Sequence, residues 1–122
     1  MTETYQIKTY AGNNASGSGT LTITIDGATT SGTITLDGLI SDAKLEGSNQ
    51  DIGNDGDIGF ANFVDVNYSG QNEAVQVLGL LRKAVPGPFG GGPDTIGGVL
   101  YYFAVGGAVP VYLTFTGASK QS

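Results

Sequence analysis

The segment 20–38, TLTITIDGATTSGTITLDG, contains the most regular pattern in the chain. Apolar residues alternate with threonines in two runs, and these apolar residues are Leu21, Ile23, Ile25, Ile34 and Leu36. A period of two places successive side chains on opposite faces of a strand, and β-branched residues favour strands. The segment 26–31 that joins the two runs is short and rich in turn-forming residues. The pattern therefore predicts two strands that pair as an antiparallel hairpin.

The segment 99–115 predicts a second hairpin, with a turn at Gly106 and Gly107. The strand before this turn is apolar on both faces, since Val99 and Leu100 begin two alternating apolar series. We therefore expect this strand to be central in a sandwich, to form the wall of a closed barrel, or to be covered by another subunit. Pro110 has no amide hydrogen, so it predicts an edge strand or a bulge for the strand after the turn.

The remaining strand candidates are less regular. A strand is predicted around residues 5–10, and the polar stretch 11–19, AGNNASGSG, is predicted to be a loop because Gly, Asn and Ser favour turns. A weaker strand follows at 39–47. Residues 58–68 are aromatic and β-branched, but their alternation slips near Phe63, which predicts a bulge or an edge.

The segment 71–88 is ambiguous between helix and strand. Ala74, Val77 and Leu81 fit helical spacing, Asn72 is placed as an N-cap, and Pro86 would end the helix. The same segment also fits a strand through Val77 and Leu81. We favour a short helix over residues 74–81, with a strand as the alternative.

These elements together predict the fold class. A chain of 122 residues is long enough to form one core, and turn signals recur about every ten residues. We predict a single β-rich domain over residues 1–122, mainly β. Its architecture is an antiparallel β-sandwich or a small β-barrel of about seven to eight strands, with at most one short helix.

Charge and residue usage exclude several function classes. Eleven Asp or Glu residues against five Lys or Arg give a formal net charge of −6, which disfavours nucleic acid and anionic lipid as partners. The chain has no Cys and no His, which removes thiol catalysis, the commonest general base and the usual transition-metal ligands. No serine-hydrolase or paired-acid motif is recognisable. We therefore favour a protein that is not an enzyme.

The distribution of apolar residues also predicts the location of the protein. The first ten residues, MTETYQIKTY, have neither the basic nor the apolar segment of a secretory signal. The long uncharged segment 95–119 is divided by glycines and by Pro110 into pieces of strand length. We expect no transmembrane segment and a protein that is cytoplasmic or is released without a signal peptide.

The acidic segment 51–62, DIGNDGDIGFAN, resembles a calcium loop in part. Asp51, Asp55 and Asp57 fall at or near ligand positions of the EF-hand template. However, Gly53 offers no ligand at position 3, and Asn62 at position 12 has no carboxylate. We favour an acidic hairpin turn, because Asp-Gly sequences supply the positive φ angles that tight turns need. Weak calcium binding by the three aspartates is the alternative.

The glycine-rich segment 86–98, PGPFGGGPDTIGG, lacks the following helix and nearby lysine of a phosphate-binding loop. Phe89 in this segment is a candidate contact residue, although it could equally pack back on the core. Tyr101, Tyr102 and Tyr112 are candidates for a contact surface or for a cavity lining. Packing of these rings in the core, with hydroxyls at its rim, is the structural alternative.

Two hypotheses of different class follow. The first is a non-catalytic contact protein, either a structural subunit that forms a homo-oligomer or a small lectin-like module that binds carbohydrate. The second is a barrel with an apolar cavity that carries a small apolar ligand or acts as a cofactor-free isomerase or cyclase. Calcium-assisted binding is a third alternative, and we expect no cofactor apart from this weak calcium.

Overall fold

The computed structural model describes residues 2–38, 40–52, 57–65, 75–83, 94–103 and 110–119. The described residues form eight strands: β1 (Thr2–Ala11), β2 (Asn14–Asp26), β3 (Thr29–Leu36), β4 (Ile40–Ile52), β5 (Asp57–Asp65), β6 (Gln76–Arg82), β7 (Thr95–Phe103) and β8 (Pro110–Ser119). Each strand pairs antiparallel with the next, and β8 pairs with β1, which closes the barrel. The prediction of a mainly β protein is confirmed, and of its two alternatives, a sandwich or a small antiparallel barrel, the structure has the barrel. Nowhere in the described ranges is there a helix that could cross a membrane.

The predicted hairpin of β2 and β3 is confirmed. Leu21 lies opposite Ile34, and the strands are joined by Gly27 and Ala28 alone. Gly27 has a φ of 63°, whereas Ala28 does not have a positive φ. A positive φ at the first central residue alone is typical of a type II′ turn, whose twist matches that of the strands it joins.

The described core lies inside the barrel. Sixteen apolar side chains of the described residues are buried, and they come from all eight strands or the residues next to them, among them Tyr5, Leu21, Ile34, Leu45, Phe60, Val77, Leu100 and Phe115. Thr30 is fully buried and accepts a hydrogen bond from the Asn49 side chain at 2.9 Å. A barrel of eight strands has an interior about wide enough for side chains to fill.

Inward-facing glycines allow neighbouring strands to approach each other closely. Gly98 lies on the inner face of β7 between Ile96 and Leu100. A Cβ atom at Gly98 would clash with the carbonyl oxygen of Leu78 and would lie 2.6 Å from the Cα atom of Gly79. Comparable backbone clashes would occur at Gly19, Gly32, Gly79 and Gly117. Strands bend sharply where glycine removes the side chain, which permits a small barrel to close.

The structure corrects the loop predicted over residues 11–19. Only Gly12 and Asn13 connect the first two strands, and β2 already begins at Asn14. Residues 14–18 are exposed, although their backbone pairs with β1. Backbone pairing with β1 therefore continues beyond the core, where polar residues such as Asn and Ser are solvated on both faces.

The short helix favoured over residues 74–81 is wrong where the structure describes the segment. Residues 76–82 form β6, which pairs with both β5 and β7. Val77 and Leu81 point inwards and are buried, whereas Leu78 points outwards. Hydrogen bonds to two neighbouring strands outweigh a weak local preference for helix.

Two smaller predictions concern strand irregularity. The register of β5 with β6 shifts between Phe60 and Phe63, which confirms the irregularity predicted near Phe63. The hairpin of β7 and β8 is confirmed, but β8 is not an edge strand because it pairs with both β7 and β1. Pro110 is the first residue of β8, a position at which proline costs a strand little.

Candidate functional site

Large apolar side chains are exposed on the outer face of β6, β7 and β8. The exposed fractions are 39% for Leu78, 40% for Val99 and 64% for Tyr112. Strand pairing places Leu78 opposite Val99, and Tyr101 opposite Tyr112. The rings of Tyr101 and Tyr112 contact each other, with centroids 5.4 Å apart and a tilt of 32°. We call these four residues the apolar patch.

The apolar patch carries no formal charge. The neighbouring outward positions on the same strands are also uncharged, namely Gln76, Leu80, Gly97, Thr114 and Thr116. Contiguous apolar surface of this kind commonly marks a site of protein contact. The chemistry of this face is therefore burial of aliphatic and aromatic surface.

A groove of about 660 Å³ lies beside the apolar patch on the outer face. Gly97 of β7 and Ala118 of β8 are the smallest outward residues in the groove, and they form its floor. The longer side chains of Gln6 and Lys8 on β1 form one wall, and those of Leu80 and Arg82 on β6 form the other. Thr95 and Thr116 also line the groove, as do Ile96 and Gly117.

The groove has a cationic side chain on each wall. Lys8 is exposed, and no described carboxylate forms an ion pair with it. Arg82 is also exposed, and its Nε atom donates a hydrogen bond to Oδ2 of Asp57 at 3.2 Å. Since arginine has five N–H donors, this ion pair leaves the donors of its terminal nitrogens available. With Asp57 counted, these three side chains carry one net positive charge on a chain of net charge −6.

A polar cluster closes the inside of the barrel at the end where β6 finishes and β7 begins. The hydroxyl of the buried Tyr5 donates a hydrogen bond to Oε2 of Glu3 at 2.5 Å. The Lys83 ammonium lies 3.9 Å from Oε1 of Glu3 and 3.2 Å from Oδ2 of Asp94. Burial raises the pKa of Tyr5 above its usual range, and the hydrogen bond and negative charge of Glu3 raise it further. Tyr5 is therefore a neutral donor rather than a base.

The tyrosines predicted as contact or cavity residues are partly brought together. Tyr101 and Tyr112 are neighbours on the outer face of the barrel. Tyr102 belongs to β7, but its side chain is outside the described part of the structure. Phe89 also lies outside the described residues.

The three aspartates of the calcium prediction are only partly described. Asp51 and Asp57 lie opposite Ile58 and Ile52 in the paired strands β4 and β5, so a hairpin does form at this segment. Asp57 pairs with Arg82, whereas Asp55 and the side chain of Asp51 are outside the described residues. Within the described ranges there is no group of three possible metal ligands. Calcium binding stays a prediction.

Sequence reasoning did not identify the groove residues. Gln6 and Lys8 are far in sequence from Arg82 and Thr95, and only the pairing of β8 with β1 brings the two walls together. The available signal was the alternation in the first strand. Gln6 and Lys8 occupy every second position, and Tyr5, Ile7 and Thr9 occupy the positions between and beside them. This alternation indicates an outward face but not its neighbours.

Comparisons of the chain with protein-family models, with curated proteins and with solved structures found no match. Function is therefore inferred from the chemistry of the outer face. Two features of that face are relevant: the apolar patch, which can be buried by a partner, and the groove, which offers hydrogen-bond donors and positive charge.

Proposed function

We propose that the protein is a non-catalytic contact protein that self-associates through the apolar patch. The observation that carries the proposal is the exposure of Leu78, Val99 and Tyr112 on one uncharged face. Each exposed aliphatic or aromatic side chain that is removed from water contributes favourably to association. Tyrosine is also enriched in protein interfaces, since it combines a large apolar ring with a polar hydroxyl.

A second copy of this chain suits the patch for an electrostatic reason. Two molecules that each carry a net charge of −6 repel each other. Contact through a face without formal charge keeps the carboxylates of the two copies apart. In a two-fold arrangement the patch would lie against itself, because such interfaces use the same surface on both subunits.

Size-exclusion chromatography with light scattering, over a dilution series from millimolar to micromolar chain, tests this proposal. We expect a mass that rises above that of the monomer with concentration. The double variant Val99→Thr, Tyr112→Thr places strand-forming β-branched residues at both outward positions and should shift the onset of self-association to higher concentration. Thr33→Ser on the outer face of β3 is the control, and it should leave the concentration at which self-association begins unchanged. A wild-type chain that is monomeric throughout would refute self-association.

The groove favours a second candidate function, a lectin-like recognition module. Hydroxyl, amide and cationic side chains surround a floor of small residues there, and the tyrosines of the apolar patch lie on the same face. Carbohydrate sites need such hydrogen-bonding groups beside surfaces on which sugar rings can lie. The apolar-cavity barrel and the calcium-assisted module stay predictions.

A further inference from the structure

We infer that the groove binds an acidic oligosaccharide, a short chain of sugars that carry carboxylate groups. This inference rests on the lectin-like candidate function and is independent of self-association. It assigns a ligand class to the surface between the side chains of β1 and those of β6. Size, hydrogen-bonding groups and charge each support it.

The groove has the dimensions of a site for a small ligand. Its volume of about 660 Å³ is within the range of roughly 300–1,000 Å³ that is usual for such sites. The groove crosses three strand spacings, from β6 over β7 and β8 to β1. At about 4.8 Å for each spacing, its walls are ~14 Å apart. This is space for a few linked sugar rings rather than for one.

The lining has the groups that hydroxyl-rich ligands need. The hydroxyls of Thr95 and Thr116 can both donate and accept hydrogen bonds, and the Gln6 amide can do the same. A side chain added at Gly97 would meet nothing nearer than the Phe115 carbonyl oxygen, at 3.6 Å. The space above Gly97 is therefore open, and a ring can approach the backbone of β7. Leu80 supplies an apolar wall for the C–H groups of a sugar.

The charges of the groove select an anion. Lys8 and Arg82 stand on opposite walls, and they are two of only five cationic residues in an acidic chain. An arginine that contacts Asp57 through Nε can still bind a carboxylate through its terminal nitrogens. Two cations separated by neutral hydrogen-bonding groups match a ligand whose carboxylates are separated by neutral hydroxyls.

The topology of the barrel disfavours an acidic peptide in the same groove. Extended peptides are commonly bound by main-chain hydrogen bonds to an exposed sheet edge. A closed barrel has no edge, and each strand under the groove is already paired on both sides. The backbone N–H and C=O groups under the groove are therefore used within the sheet, and hydrogen bonds from side chains suit a saccharide better than a peptide backbone.

Isothermal titration with trigalacturonate, and with neutral galactotriose as the matched ligand, tests the inference. The protein used is the full wild-type chain, at a concentration at which light scattering gives the mass of the monomer, so that self-association does not contribute heat. We expect binding of the acidic trisaccharide and at least about tenfold weaker binding of the neutral one, because a hydrogen bond to a charged group is lost with each carboxylate.

Two groove variants and one matched control locate the site. Lys8→Gln should weaken binding of trigalacturonate about tenfold, and Gly97→Val should abolish binding because its side chain occupies the floor. Lys44→Gln removes the same charge from an exposed position on β4, away from the groove, and should leave the affinity unchanged within twofold. Circular dichroism melting of each variant establishes that the barrel is folded.

The outcomes separate this inference from the proposed self-association. Absence of trigalacturonate binding at millimolar ligand, equal affinity for galactotriose, or an unchanged affinity of Lys8→Gln would each overturn the acidic saccharide. A wild-type chain that stays monomeric but binds trigalacturonate would refute self-association alone. Self-association without saccharide binding would refute the groove inference alone.

Discussion

Tyr5 shows how a single buried side chain links stability to pH. Its ring is buried in the core, and its hydroxyl donates to Glu3 at 2.5 Å. Burial, followed by the hydrogen bond and charge of Glu3 and the charge of Asp94, raises the pKa of Tyr5 above its ordinary value near 10. The folded chain therefore keeps this proton at a pH where the unfolded chain loses it. Stability from Tyr5 is fully present below about pH 10 and falls above it.

We predict a specific pH profile for Tyr5→Phe. Below about pH 10 the variant should be less stable than wild type by about 1 kcal/mol, because it lacks the hydrogen bond to Glu3. Above that pH the difference should shrink by up to ~1.4 kcal/mol per pH unit, since only the wild type has a proton to lose on unfolding. Urea unfolding at a series of pH values measures this difference. Parallel stability curves from pH 8 to pH 11 would contradict the prediction.

At the scale of the element, strand β7 contains two adjacent glycines with different surroundings. Gly98 faces inwards, where a side chain would clash with the backbone of β6, whereas Gly97 faces outwards into the groove. Neither residue has a positive φ. The difference between them is therefore one of space and not of backbone conformation.

This difference predicts opposite outcomes for two alanine substitutions. Gly98→Ala should destabilise the barrel by about 3 kcal/mol or more, because β6 and β7 must separate to admit the methyl group. Gly97→Ala should change the free energy of unfolding by less than about 0.5 kcal/mol, as is usual for open surface positions. Chemical denaturation of both variants measures these changes. Equal losses at the two positions would contradict the close approach at Gly98.

The individual strands differ in how far they could be predicted from the sequence. The hairpin of β2 and β3 was predictable because the alternation of Leu21 to Leu36 and the short turn at Gly27 are local signals. Strand β6 was not, because its residues fit helix and strand alike and only pairing with β5 and β7 decides between them. The loop predicted at 11–19 failed for a related reason, since β1 supplies the hydrogen bonds that hold polar residues in a strand.

At the scale of the whole molecule, sandwich and barrel could not be distinguished before the structure. Closure depends on the pairing of β1 with β8, in which Tyr5 lies opposite Ser119. These residues are almost a full chain length apart, and no local pattern encodes their contact. The apolar patch was partly predictable, because Tyr101 and Tyr112 belong to a hairpin that is apolar on both faces. The groove was not, because its walls meet only when the barrel closes.

The charge of the whole molecule predicts opposite salt dependences for the two proposed contacts. Self-association should strengthen between about 10 mM and 300 mM NaCl, because salt screens the repulsion between copies of net charge −6. Binding of trigalacturonate should weaken over the same range, because its close attraction to Lys8 and Arg82 outweighs its longer-range repulsion from the net charge of −6, and salt screens that attraction. Light scattering and titration at each salt concentration measure the two effects. If salt changed the strength of self-association and the affinity for trigalacturonate in the same direction, the result would contradict an uncharged apolar patch and a cationic groove.

The alternation of β7 has a consequence for how its gene can vary. Gly97 and Val99 face outwards, whereas Gly98 and Leu100 face inwards. Deleting or inserting one codon would exchange the inward and outward sets over part of the strand. Leu100 would then face water, and a residue with a side chain would replace Gly98 at the contact with β6. We therefore expect that variants of this strand arise mainly by substitution, and that changes in length fall at bulges or in the segments that join one strand to the next.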